Sequence, residues 1–230
     1  MLVFEIKLKV FLLKDIEFNK IQTIISSFID KCLVKDREFL KFHDKNTFKN
    51  YCFDSMFPLC ENSLYKSGNV YTITIRTIDK KIADYLSKNL SNEYDENIKG
   101  LVSDIRIIPK KHIKKIYSLT PVIAKTEKGY WKGNLTIEEF EKRLKNNVIK
   151  KYNMINQNHI DESVELYNLI EFVNKKPIGT IYKNIKLLGD KISLEIADDE
   201  LSQELAYMIL GTGILEMNSR GFGFVNFRYL

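Results

Sequence analysis

RGFGFVNF, Arg220 to Phe227, is the last strand-like stretch of the 230-residue chain, and its place in the element order decides the fold. Two glycines alternate with phenylalanines before a Val-x-Phe ending. The run therefore reads as an extended strand entered through a permissive turn. Only three residues follow it, so the strand is expected to close its domain rather than sit inside one.

Working outward, a helix from about Asp198 to Leu210 leads into this strand, with Asp198, Asp199 and Glu200 placed where acids favour a helix N-terminus. Before it, TIYKNIKLL, a turn at Gly189-Asp190 and KISLEIA read as a hairpin. VELYNLIEFV fits a helix or a strand. Thr136 and Glu139 have capping-box spacing ahead of a helix lined by Ile137, Phe140, Leu144 and Val148. IYSLTPVIA is a candidate strand. This gives β-α-β-β-α-β for the second half.

The first half repeats the order. LVFEIKLKV alternates apolar Phe4, Ile6, Leu8 and Val10 with charged Glu5, Lys7 and Lys9. Ile21, Ile24, Phe28 and Cys32 recur at helical spacing, with Asp15 placed as their cap. NYCFDSMF and VYTITIRTI read as strands, Ile82, Leu86 and Leu90 mark a helix, and LVSDIRII returns as a strand. The expected fold class is α+β, with two tandem ferredoxin-like (βαββαβ) domains over residues 1–115 and 116–230. Neither Gly nor Ser marks a linker between them, so the halves are expected to pack closely.

Composition limits the function classes. Hydrophobic residues are 44% and charged residues 29%, as in a soluble globular protein. No apolar run approaches a membrane span, and the N-terminus opens on a charged strand rather than a signal-peptide core. Cys32, Cys52 and Cys60 have neither metal-site nor disulfide-framework spacing, so a reducing cytoplasm is the expected compartment. The net charge of +6 concentrates in two tracts. RIIPKKHIKK carries Arg106, Lys110, Lys111, Lys114 and Lys115 without an acid, and Arg143, Lys145, Lys150 and Lys151 form the second. Such stripes suit a phosphodiester backbone, though a solvated basic face is the plain alternative.

The glycines narrow the partner. RGFGFVNF satisfies the RNA-recognition-motif signature letter by letter, but there it occupies the third of four strands and here the fourth. A dinucleotide fingerprint needs a strand leading into a helix, the reverse of this order, and no Gly-Lys-Ser/Thr follows for a triphosphate loop. The larger unit is GTGILEMNSRGFGFV, Gly211 to Val225. Gly211, Gly213, Gly221 and Gly223 accept positive φ, successive amides in such a turn can cradle phosphate oxygens, and Asn218, Ser219 and Arg220 add donors. On this reading Phe222 belongs to the RNA-binding loop as well. The alternative is a helix C-cap at Gly211 and a glycine-relieved strand.

The order helix, Gly-x-x-Glu-x-Asn-Ser-x-Gly-Phe-Gly, strand resembles the C-terminal glycine-rich loop of the CRISPR-associated endoribonucleases that cut precursor CRISPR RNA within repeats. They belong to the repeat-associated mysterious protein superfamily, which is built on tandem ferredoxin-like domains. NNVIKKYNMI resembles the family's Asn-Leu-x-x-Lys-Tyr segment, and SLTPVIAK its Ser-Pro element opening the second domain. Many members carry a glycine where Leu215 stands, which predicts a different path for the loop at that point.

The resemblance implies repeat RNA as partner, no metal or other cofactor, and cleavage by 2′-hydroxyl attack. A multi-subunit CRISPR interference complex is a further expected partner, and monomer and homodimer both stay open. Histidine suits the proton transfers and lysine the phosphoryl charge. His43 with Lys49 six residues on, ahead of an aromatic, serine-containing strand, matches the family's catalytic spacing. The tyrosine that some members carry on the preceding helix is replaced by Phe28, leaving Tyr51 as the candidate substitute. His112 and His159 read as an RNA- or solvent-facing residue and a loop residue. A non-catalytic CRISPR RNA-binding subunit and a generic RNA-binding protein are the alternative functions.

Overall fold

The computed structural model describes the chain apart from residues 45, 46, 158, 162, 163 and 184, with 42–44 and 61 described by backbone only. The first half contains β1 (Phe4–Leu12), β2 (Ile16–Glu17), α1 (Ile21–Leu33), α2 (Arg37–Asp44), β3 (Tyr51–Phe57), β4 (Leu64–Tyr65), β5 (Val70–Thr77), α3 (Lys80–Asn89) and β6 (Ile98–Ile107). The second contains β7 (Ile113–Ser118), α4 (Ile137–Asn156), β8 (Tyr167–Phe172), β9 (Ile178–Tyr182), β10 (Ile185–Gly189), β11 (Ile192–Ile196), α5 (Glu200–Thr212) and β12 (Val225–Tyr229).

Two four-stranded sheets result, ordered β3-β5-β1-β6 and β12-β7-β11-β8. Setting aside the β2–β4 pair and the β9–β10 hairpin, each sheet places its domain's first and third strands in the centre, the ferredoxin-like arrangement. Period-2 patterning explains the first sheet: Ile6 faces Ile75 and Leu8 faces Ile73, all fully buried beneath α1 and α3. In the second, Leu194 lies beside Ile116 and Ile170, under α4 and α5. The Thr136 capping box forms, with Glu139 N–H donating to Oγ1 at 3.2 Å and Thr136 N–H to Glu139 Oε2 at 2.7 Å. Asp199 caps α5 through Ser202 N–H at 2.9 Å.

Three local expectations are corrected and one that was left open is resolved. The hairpin lies within Ile178–Gly189, as β9 with β10. Gly189-Asp190 is not its turn, because Asp190 is fully buried and accepts from Tyr130, Trp131, Lys132 and Asn174. That hub carries the chain from the hairpin back into the sheet. VELYNLIEFV yields the strand β8. The strand expected at IYSLTPVIA begins earlier, at Ile113, and ends at Ser118; Pro121 cannot donate to a ladder. Asp15 does not cap α1 but accepts from Ser67 N–H and Oγ at 2.8 and 2.9 Å.

The halves interlock through buried polar contacts. Arg76 on β5 donates to Glu5 Oε2 at 2.8 Å and to the Val225 carbonyl on β12 at 2.6 Å, with its guanidinium 4.7 Å from the Phe224 ring. Burial by itself would raise the Glu5 pKa, but Arg76 and Arg106 outweigh it and hold the carboxyl below its usual range. Tyr207 of α5 donates to the Ile108 carbonyl at 2.6 Å. Gly211 lets α5 approach the first domain: a Cβ there would lie 2.7 Å from Ile78.

Candidate active site

Between the domains lies a pocket of about 460 Å³. Thr47 to Tyr51, the segment connecting α2 to β3, forms one wall, and Leu215 to Ser219, the loop between α5 and β12, forms the other. Lys151 of α4 reaches the floor. Residues more than 160 positions apart in sequence thus share one cavity. The glycine-rich loop and the candidate catalytic segment, at opposite ends of the chain, meet in space.

Of the three catalytic candidates, Lys49 and Tyr51 line this pocket. His43 belongs to the last turn of α2, a few residues upstream, and its side chain lies outside the described residues. Tyr51 is 3% exposed, and burial, reinforced by Asp30, pushes its phenol well above the usual tyrosine range. It is a neutral hydroxyl at physiological pH, able to donate but unsuited to act as a base, and it is hydrogen-bonded with Ser219.

The loop is built differently from the expected phosphate cradle. The amides of Ile214, Glu216, Gly221, Phe222 and Gly223 donate to Gly223, Ile123, Asn218, Met217 and Pro121 carbonyls, so these five donors are spent inside the protein. Gly213 ends α5 at φ +74°; Gly223, at φ +64°, would place a Cβ 2.0 Å from the Ile214 carbonyl oxygen. Gly221 presses against Gln22 of α1. Phe222 is fully buried and unavailable to RNA. Leu215 adopts φ +57°, the left-handed region a glycine would favour, so the chain takes that turn with a buried leucine.

Arg220 is engaged within the protein. It donates to Ser26 at 2.8 Å and to the Asp30 carboxylate, both on α1, and so ties the loop to the first domain instead of presenting a phosphate grip. Asn218 is equally committed: Nδ2 donates to the Ile214 and Phe222 carbonyls at 2.9 Å each, and Oδ1 accepts from Lys151 at 2.6 Å. Lys110, Lys111, Lys114 and Lys115 lie apart from the pocket lining. Lys115 pairs with Glu171 at 3.1 Å, and His112 with Asp198 at 3.0 Å.

Lys151 is the residue the sequence reading undervalued. It is 2% exposed and donates to the Gly213 and Leu215 carbonyls at 2.9 and 3.0 Å as well as to Asn218. Three acceptors match the three N–H bonds of an ammonium, while burial pushes the pKa down to about 7. Its Nζ also lies 5.7 Å from the Phe48 ring on the opposite wall. The signal was present: Phe140, Leu144, Val148 and Lys151 fall on one helical face, and a lysine in a core position requires buried partners.

Fold and pocket define the class: a tandem ferredoxin-like protein whose C-terminal glycine-rich loop walls an interdomain cavity. Residues 108–227 match the family described as CRISPR associated protein Cas6, C-terminal. The chain belongs to the Cas6 family. It is 25% identical, over 93% of its length and 95% of the relative's, to the CRISPR-associated endoribonuclease Cas6 2 of Methanocaldococcus jannaschii. Two solved structures share the fold over 98% of this chain. One is a Cas6-related protein from Pyrococcus furiosus (TM-score 0.70, 18% identity, 98% of that chain). The other is described as a RAMP protein binding different RNA substrates (TM-score 0.71, 19% identity, 99% of that chain).

Proposed function

We propose that the protein is an endoribonuclease that cuts precursor CRISPR RNA within its repeats, without a metal ion. The observation that carries this reading is the single pocket in which Lys49 and Tyr51 of the first domain face the glycine-rich loop of the second, in a chain of the Cas6 family. The first domain supplies the reacting side chains, and the second fixes the opposite wall.

In the proposed step the 2′-oxygen loses its proton and bonds to the adjacent phosphorus as the P–O5′ bond breaks. The departing O5′ takes up a proton, leaving a 2′,3′-cyclic phosphate and a 5′-hydroxyl. His43 serves as general acid or base for one of these transfers. The Lys49 ammonium stabilises the charge that develops on the phosphoryl oxygens. Tyr51, neutral and held beside Ser219, donates a hydrogen bond from the pocket wall.

Purified protein in EDTA is expected to cleave its cognate repeat RNA once and to leave a cyclic phosphate end. A repeat with a 2′-deoxy group at the cut site should bind and stay intact. His43→Ala should slow single-turnover cleavage by about 10²–10⁴, with RNA binding little changed. Full activity in that variant would remove His43 from the mechanism. Tight binding of the repeat without cleavage by the wild-type protein would favour the non-catalytic subunit.

A further inference from the structure

From the lip of the pocket a groove runs along α4. Glu216 lines both the pocket and this groove, and Lys125 links the pocket to a second depression that shares Arg143 with the groove. The three hollows therefore form one continuous track on the second domain. Lys142, Asn146 and Lys150 lie in its wall at i, i+4 and i+8, a single row on the helix spanning about 12 Å.

Glu127 lies in the depression beside Lys125, while the two acids that line the α4 groove are engaged. Glu216 accepts from Arg143 at 2.8 and 2.6 Å, and Glu139 is held by the capping box. Lys142 and Lys150 are exposed and have no acidic partner among the described residues. Between them, Asn147 Oδ1 is buried with no hydrogen-bond partner among the described residues. Cations in a row with amides beside them suit a ribose-phosphate chain: ammonium groups take phosphates, and amide oxygens take hydroxyl or base N–H donors.

We propose that the α4 groove holds the RNA segment that adjoins the scissile phosphate on one side, with Lys142 and Lys150 on its backbone phosphates. The proposal rests on the cutting reading above and adds the path by which RNA leaves the pocket. It assigns the strand to the helical face of the second domain rather than to the Lys110–Lys115 tract.

The test is equilibrium binding of a repeat RNA with a 2′-deoxy cut site across a salt series, comparing wild type with Lys142→Gln/Lys150→Gln and with Lys110→Gln/Lys114→Gln. Losing two phosphate contacts should lower the slope of log K against log[salt] by about 1.4, the single-strand value of about 0.7 per contact. The slope for Lys110→Gln/Lys114→Gln should stay at the wild-type value. Trimming the RNA on one side of the cut should abolish the difference between wild type and the α4 variant, and trimming the other side should preserve it. An unchanged slope in the α4 variant overturns the proposal, as does a difference that survives both trimmings. Wild-type cleavage of the unmodified repeat is scored in parallel. Cleavage with an unchanged slope sinks the groove alone, whereas a lowered slope without cleavage keeps the groove and sinks the cutting reading.

Discussion

On one side of the pocket, residues 213–224 have glycines pressed against neighbouring atoms, an asparagine with both side-chain polar ends occupied, and a buried lysine beneath. On the other side, Thr47 to Asn50 form a connecting segment that leads into β3 at Tyr51, with the Asn50 carbonyl accepting from Thr77 Oγ1 at 2.7 Å. One wall is fixed by its own internal bonds. The other carries Lys49 and Tyr51 and leads directly into β3. On the proposed mechanism this is a division of labour: the second domain supplies rigidity, and the first supplies chemistry. The glycine-rich loop is thus braced largely by its own hydrogen bonds, with residues 215–219 left at the pocket edge.

The comparison breaks most sharply at Gly223. Gly223→Ala combines a left-handed φ with a Cβ driven into the Ile214 carbonyl, and should cost about 3 kcal/mol or more of stability, or prevent folding. Chemical denaturation would register the loss, and near-wild-type stability would mean that the wall is far looser than described.

Lys151→Met comes next, at about 2 kcal/mol near neutral pH, because it strips donors from three buried acceptors while relieving a buried charge. The pH dependence has a definite sign. With the folded pKa near 7 and the unfolded value near 10.4, the unfolded chain holds the extra proton between those limits. Wild-type stability attributable to Lys151 therefore rises with pH above about 7, and the penalty is complete below it. The deficit of the variant should grow from pH 7 to pH 9 in urea titrations; a constant deficit would place the pKa outside that window.

Arg220→Ala is the mildest, at about 1–2 kcal/mol, since it leaves Asp30 without its guanidinium. Repeat-RNA affinity should stay within about threefold of wild type. A large affinity loss at unchanged stability would return Arg220 to the phosphate-binding role suggested by its place in the sequence.

The tandem fold was legible because both halves carry clean periodicity: the alternation of LVFEIKLKV and the helical row Phe140, Leu144, Val148 each admit one reading. The hairpin was misplaced because Gly189-Asp190 has turn composition, and only the three-dimensional structure discloses a buried carboxylate with four donors. Glycine spacing located the loop correctly, yet its letters cannot distinguish amides aimed at a ligand from amides spent on Pro121 and Ile123. Arg220 misled for the same reason, since its partner Asp30 lies 190 residues away. Lys49 and Tyr51 were found through the resemblance. Lys151 needed only the question of what a lysine is doing on a core face.

The clasp of Arg76 on the Val225 carbonyl has a consequence for synthesis. A nascent chain leaving the ribosome completes its first sheet while the strand that Arg76 binds, and the loop that walls the pocket, are still untranslated. In the finished fold Gly221 rests against Gln22 and Phe53 of the first domain. A ribosome-stalled chain ending before residue 211 should therefore lack the assembled pocket, and ribosome-bound fragments should leave repeat RNA uncut. The order of translation keeps residues 47–51 apart from the wall formed by residues 213–224 until that loop has been made.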